Sequence, residues 1–329
     1  MIRIFSLVAL VSFSLSMATQ AWAVGEPAAM SKSEFDALMQ KISNWGRWGK
    51  DDELGTLNLI TPAKRKTAAA LVKDGITVSL ALDLNKKKDG INANPFEHEL
   101  SRGEFLGHQV AGDKYSVEYH GFAHSHMDGL SHFAHKGFFY NGVPYVSAKP
   151  TGAESLGIHN AGVDGVFTRG VLIDMPKFLG VDFLQPGAAI TVADLEAWEK
   201  KSGVIVAAGD VVLIRTGRWA KVKLDGQWNF LAQAAGAHAS VAQWLKDRDV
   251  AVIGSDGVSD VMPSGVDGLN NPLHELVLVG LGMPILDNLD LEVLAQTATE
   301  RGRNTFLYVG APLRVPGGTG SPLNPLAVF

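Results

Sequence analysis

Five short apolar runs rich in β-branched residues punctuate the chain: ITVSLAL at 76–82, GVLIDM at 170–175, DVVLIRTG at 210–217, VAVIGSD at 250–256 and TFLYVG at 305–310. Helical patterns fall at 31–43, 62–74, 191–202, 236–247 and 290–301. Their ends carry the residues that satisfy orphan backbone groups: Ser31 or Ser33 before the first, Thr61 ahead of Pro62 with Gly75 closing the second, and Thr191 before VADLEAWEKKSG. Strands and helices alternating at these lengths predict an α/β domain. The runs at 211–214 and 250–253 are apolar at successive positions. A strand of that kind is covered on both faces, so these two are expected in the middle of the sheet. Functional residues of such sheets gather where strands end, and IGSDG at 253–257 is one such place.

One apolar run is of another kind. It follows Arg3 at the N-terminus and ends at Ala21-Trp22-Ala23, the small-x-small pattern of a signal peptidase site. Residues 1–23 are expected to be a removed signal peptide, leaving 24–329 as a periplasmic or secreted chain. Nothing later is apolar enough to span a bilayer. The chain contains no cysteine, which excludes disulfides, thiolate metal sites and cysteine nucleophiles. A net charge of −5, made of mixed signs, points to neither nucleic acid nor an anionic membrane as partner.

Five of the ten histidines lie between His120 and His135, in HGFAHSHMDGLSHFAH. If this stretch is extended, His120, Phe122, His124, His126 and Asp128 project to one face. His124, His126 and Asp128 then form a row of imidazole and carboxylate, a donor set suited to Zn²⁺, Mn²⁺ or Fe²⁺, whereas oxygen-only sets suit Ca²⁺ or Mg²⁺. The bland alternative is a solvated histidine-rich loop or a set of satisfied core histidines.

The segment FAHSHMDGLSH at 122–132 resembles the signature H-x-G-T-H-x-D-x-P-x-H of the cyclase family, which includes bacterial kynurenine formamidases and isatin hydrolases. WGRWGKDDELGTLNLITPAKR at 45–65, FFYNGVPY at 138–145, GGTGSPLNPLA near the C-terminus and NPLHELVLVGLGMPILDNLDLEVLA at 271–295 are similar to other segments of that family. The resemblance implies one domain over 24–329 with a central mixed β-sheet flanked by helices, of the swivelling β/α/β type. It also implies a metal-dependent hydrolase of amide bonds, holding Zn or Mn and assembled as a homodimer or homotetramer around a small-molecule substrate. By the match, His126 and Asp128 are metal ligands and His132 is the catalytic acid/base; His274 and Asp287 correspond to a second metal position, with Asp287 in place of a glutamate. Phe122 stands where the family's first ligand histidine is expected. His124, two residues along, is the expected replacement, with His120 the alternative.

A bound divalent cation would activate a water and polarise the scissile carbonyl, so no serine or cysteine nucleophile is needed. His132 would move the proton. Competing readings are a metal-dependent lactonase, dehydratase or cyclase, a serine hydrolase using Ser255, and a non-catalytic periplasmic binding protein. Ser255 lacks the G-x-S-x-G context because Ile253 replaces the first glycine. Asp256 is expected to cap a turn, Arg169 and Arg215 to form structural ion pairs, and His135 to lie at the surface. Trp45, Trp48 and Phe138–Tyr140 are candidates for an aromatic pocket wall or for packing.

Overall fold

In the computed structural model, which describes residues 24–25 and 27–329, nine strands lie side by side in one mixed sheet. Their order is Thr77–Ser79, Leu326–Val328, Thr305–Gly310, Val166–Asp174, Val211–Arg215, Val252–Ser255, Ile285–Asp287, His126–Asp128 and Gly320–Pro322. The four from Val166–Asp174 to Ile285–Asp287 run parallel, and the remaining neighbours pair antiparallel. The expected signal peptide, residues 1–23, lies outside the described residues. Among the described residues, no helix is long and apolar enough to cross a membrane.

The central strands explain why their sequences are apolar at every position. Val212, Ile214, Ile253 and Ile285 join one core cluster, with Phe35, Leu195, Trp198 and Trp244 from the helices on that side. Val211, Leu213, Val252 and Leu286 point the other way, into a second cluster with Leu294, Phe306 and Phe329. The pleat thus divides one apolar run between two cores. Burying a side chain of this size contributes roughly 1.5–3 kcal/mol, so the parallel centre carries much of the burial that stabilises the fold.

Helix boundaries follow local chemistry, with two corrections. Ser31 and Glu34 form a reciprocal capping box at Lys32–Ile42, and Thr191 and Asp194 do the same at Val192–Ser202. The helix expected at 62–74 stops at Ala69; farther on, the N–H groups of Asp74 and Gly75 donate to the carbonyl of Phe329 at 3.1 and 2.8 Å. The helix expected at 236–247 begins only at Val241, since Gly236–Ala237 pairs with Ala189–Ile190 as a short parallel ladder. A hairpin, Glu97–Phe105 with His108–Ser116, leaves no mark in the hydrophobic pattern: all the residues of its strands are exposed, so no apolar face gives it a two-residue period. Its second strand leads into Tyr119 and His120, at the edge of the site.

Candidate metal centre

The strand His126–Asp128 is three residues long, buried, and held on both sides. Asp287 is the register partner of His126 on one neighbour, and Gly320 that of Asp128 on the other. Opposed positions on adjacent strands carry their side chains on the same face, which brings His126 and Asp287 together although 161 positions separate them in sequence numbering. Asp128, only 1% exposed, is the hub. Its Oδ1 lies 2.8 Å from His120 Nδ1, 3.3 Å from His126 Nε2 and 3.8 Å from His132 Nε2, and its Oδ2 lies 3.5 Å from His274 Nε2. Asp287 Oδ2 is 3.1 Å from the same His274 nitrogen. Two overlapping groups of donors result: His120, Asp128 and His132, and His126, Asp128 and Asp287, each with ligand atoms within 4.8 Å of one another.

Hydrogen bonds at the far nitrogens orient the rings. His126 Nδ1 donates to the carbonyl of His124 at 2.8 Å, and His274 Nδ1 pairs with Asp260 Oδ2 at 2.5 Å. In the neutral imidazoles this leaves the Nε2 lone pairs aimed at Asp128 and Asp287, the arrangement that histidine ligands of metals adopt. His120 Nε2 meets Thr319 Oγ1 at 2.9 Å, which turns Nδ1 inward. His120 Nδ1 and Asp128 Oδ1 are buried, yet neither makes a hydrogen bond of acceptable geometry despite their proximity. Buried polar atoms are rarely left so, because the loss costs about 1–3 kcal/mol. A divalent cation among these nitrogens and oxygens would satisfy both, so the donor set fits such an ion.

The electrostatics are those of a crowded, dry site. Burial raises the Asp128 carboxyl, but the surrounding imidazoles, His126 and His132 foremost, hold it well below the usual range. Burial likewise pulls His126 and His274 down. The charges of Asp128 on His126, and of Asp287 on His274, outweigh it and raise both above the ordinary imidazole value. His132 goes the other way: burial, aided by the neighbouring imidazoles and opposed by Asp128, lowers it to about 4.

His126, Asp128, His132, His274 and Asp287 are therefore brought together in one place. His124 is not: it is buried, its Nε2 faces the carbonyl of Asn85 at 3.4 Å, and it belongs to neither donor group. The imidazole that the geometry brings to Asp128 beside His126 is thus His120, the alternative, and not the expected His124. The same-face argument needs extended backbone, and the strand begins only at His126; residues 120–124 bend. His120 returns to the centre, stacked on His132 with ring centroids 3.7 Å apart. His120→Ala is expected to weaken divalent-ion binding by about 100-fold, roughly 2.8 kcal/mol, whereas His124→Ala stays within about threefold. Calorimetric titration of the metal-free variants measures both.

Three contributors were hidden from sequence reading. Asp260 takes the backbone N–H groups of Leu273 and His274 at 2.7 and 3.2 Å as well as the His274 ring. Thr319 holds His120, and Gly320 makes room for it: a methyl group on Gly320 would lie 2.8 Å from His120 Cε1 and 2.6 Å from the carbonyl oxygen of Met127. The glycine-rich GGTGS segment is thus part of the site as well as a turn.

The remaining candidates serve the scaffold. Ser255 Oγ accepts the N–H groups of Gly257 and Ser259 at 3.1 and 2.9 Å. Asp256 accepts those of Thr216, Gly217 and Arg218. Arg169 pairs with Asp210, and Arg215 with Asp174 and Glu292. His135, expected at the surface, is partly buried against Glu275 at 2.5 Å. Phe139 and Tyr140 belong to the core, and Trp45 donates to the carbonyl of Val279. The aromatic rings at the centre are instead Tyr119, 4.6 Å from His120, and Phe133, 4.9 Å from His132 and 5.2 Å from His274.

Comparison with known proteins gives a consistent result. A search of curated proteins found no match. Among solved structures, one described as a novel cyclase is 31% identical, with a TM-score of 0.79, over 88% of this chain and 100% of that one. Isatin hydrolase A from Ralstonia solanacearum shares the fold at a TM-score of 0.52 and 22% identity, covering 77% of this chain and 92% of its own. Isatin hydrolase A from Labrenzia aggregata, bound to benzyl benzoate, does so at 0.52 and 21%, covering 79% and 94%. The family model described as putative cyclase matches residues 18–260, and with that match the chain belongs to the cyclase family.

Proposed function

We propose that this protein is a metal-dependent hydrolase that cleaves a C–N amide bond in a small aromatic substrate, a cyclic amide or an aryl formamide. The observation that carries the metal reading is the buried Asp128 carboxylate ringed by four imidazoles, with Oδ1 and His120 Nδ1 left unbonded. His120, His126, Asp128, His274 and Asp287 would hold the ion or ions, either Zn²⁺ or Mn²⁺, the chemistry of nitrogen and carboxylate donors. When bound, a divalent cation supplies Lewis acidity toward the carbonyl and a nucleophilic water near neutral pH.

The residues of the chain supply the rest. His132 and His120 are each about a quarter exposed, whereas His126 and His274 are sealed. His120 lies closest to Asp128 and its Nε2 meets Thr319, which leaves His132 as the imidazole placed to exchange protons with substrate and solvent. His132 is neutral near pH 7 and can take the proton of the attacking water. The water oxygen bonds to the carbonyl carbon, the C–N bond breaks, and His132 returns the proton to the leaving nitrogen. Tyr119 and Phe133 flank the centre and favour a planar, aromatic substrate. The amide preference is supported by the fold shared with the isatin hydrolases and by the resemblance of the histidine segment.

The test is turnover of cyclic amides, N-formyl aromatics and lactones by the metal-loaded protein. Amide hydrolysis that disappears on chelation and returns with Zn²⁺ or Mn²⁺ is expected. Turnover of lactones alone points to a lactonase. Tight ligand binding with no turnover points to a binding protein, and turnover indifferent to chelation sinks the metal reading.

A further inference from the structure

The bend at 121–125 decides which imidazole reaches the centre, and two buried side chains from distant parts of the chain hold it. Asn288 Nδ2 donates to the carbonyls of Gly121 at 2.7 Å and His124 at 3.2 Å. Arg218 Nη2 donates to the carbonyl of Phe122 at 2.6 Å. The two are joined, Arg218 Nη1 to Asn288 Oδ1 at 2.6 Å, and Ser125 Oγ donates to the carbonyl of Asn288 at 2.7 Å. Three carbonyls within four residues are therefore taken by one linked pair of side chains.

Arg218 is a costly residue to place there. It is 2% exposed, and its Nε has no hydrogen-bond partner. Its opposing charges, Asp256 and Asp287, act on it without a direct guanidinium–carboxylate pair, Asp256 instead accepting its backbone N–H at 3.1 Å. A buried charge that is not directly paired is strongly unfavourable unless its donors are satisfied. Here two of its nitrogens bond to neutral acceptors, and the guanidinium stacks on Phe230 at 3.7 Å and Trp219 at 4.2 Å from the ring centroids. Phe122 packs its own ring against Phe230, 5.9 Å between centroids. The side chain at the position of the missing ligand is thereby turned into an apolar cluster, while His120 on one side and His126 on the other face Asp128.

We infer that Arg218 and Asn288 form a clamp on the 121–124 bend that places His120 in the metal centre, making both of them positioning residues for the ion. Neither side chain is itself a donor to the ion; although Asn288 directly follows Asp287, its side chain and that of Arg218 engage backbone carbonyls of the segment that carries His120. The inference rests on the metal reading above.

The experiment is titration of Mn²⁺ into metal-stripped wild-type protein and the variants Arg218→Lys, Asn288→Asp and Arg215→Lys, with thermal melts of each. Lysine keeps the charge but lacks the fork that spans Asn288 and Phe122. Aspartate keeps the shape and the acceptor for Arg218 but cannot donate to Gly121 and His124. Both are expected to stay folded and to bind Mn²⁺ at least about tenfold more weakly. Arg215→Lys disturbs another buried arginine, one bonded to Asp174 and Glu292, and is expected to lower the melting temperature while leaving Mn²⁺ affinity within about twofold. The clamp is overturned if folded Arg218→Lys and Asn288→Asp bind as tightly as the wild type, or lose no more than Arg215→Lys. If wild-type protein itself fails to bind Mn²⁺ or Zn²⁺, both the clamp and the metal reading fall.

Discussion

Asp128→Asn is expected to empty both donor groups at once. Its carboxylate is common to the two, and it is the acid around which His120, His126, His132 and His274 converge. Asparagine preserves volume and one acceptor oxygen but removes the charge that draws a cation into a site with about 1% exposure. The four imidazoles would then converge on a neutral amide, with Asp287 as the carboxylate left in the two groups. Divalent-ion affinity should fall by at least about 1,000-fold, roughly 4 kcal/mol, and turnover should fall with it. Asp287→Asn, which touches one group, should cost less and remove at most one ion per chain. Metal content after dialysis, alongside titration, reads both; stoichiometric metal retained by Asp128→Asn would place the site elsewhere.

His132→Ala should separate ion binding from chemistry. The ring lies 3.8 Å from Asp128 Oδ1, farther than the other three imidazoles from that carboxylate, and stacks on His120 instead of bonding into the cluster. General acid–base catalysis contributes about 10² to 10⁴ in rate. A loss of kcat in that range is expected at saturating metal, with metal affinity reduced less than about tenfold. His132→Gln should not restore the rate, since an amide cannot carry the proton. If His132→Ala instead loses its metal as His120→Ala does, His132 is a ligand, and the proton carrier has to be sought among other groups at the centre.

What local chemistry dictates could be read along the chain. Val211–Ile214 and Val252–Ile253 are apolar at each step because the pleat sends alternate side chains into two cores, so a central position followed from the unbroken apolar run. Ser31 and Thr191 sit before helices because their hydroxyls accept first-turn backbone N–H groups that have no partner within the helix. His126 and Asp128 belong together because a strand returns to the same face every second residue.

The rest depended on contacts between residues far apart in sequence. The two-residue rule failed at His124 because residues 120–124 are bent. Arg218 and Asn288 hold that bend, 96 and 167 positions away from the carbonyls of Phe122 and Gly121 that they engage. Asp260 was indistinguishable from any turn aspartate until the fold set it 2.5 Å from His274, and Gly320 from any loop glycine until His120 lay against it. The sequence by itself thus determined the sheet's centre, its helix caps and the supply of imidazole and carboxylate. The tertiary structure alone decided which imidazole reaches Asp128, because a ring's direction depends on hydrogen bonds to backbone that only the folded chain brings near.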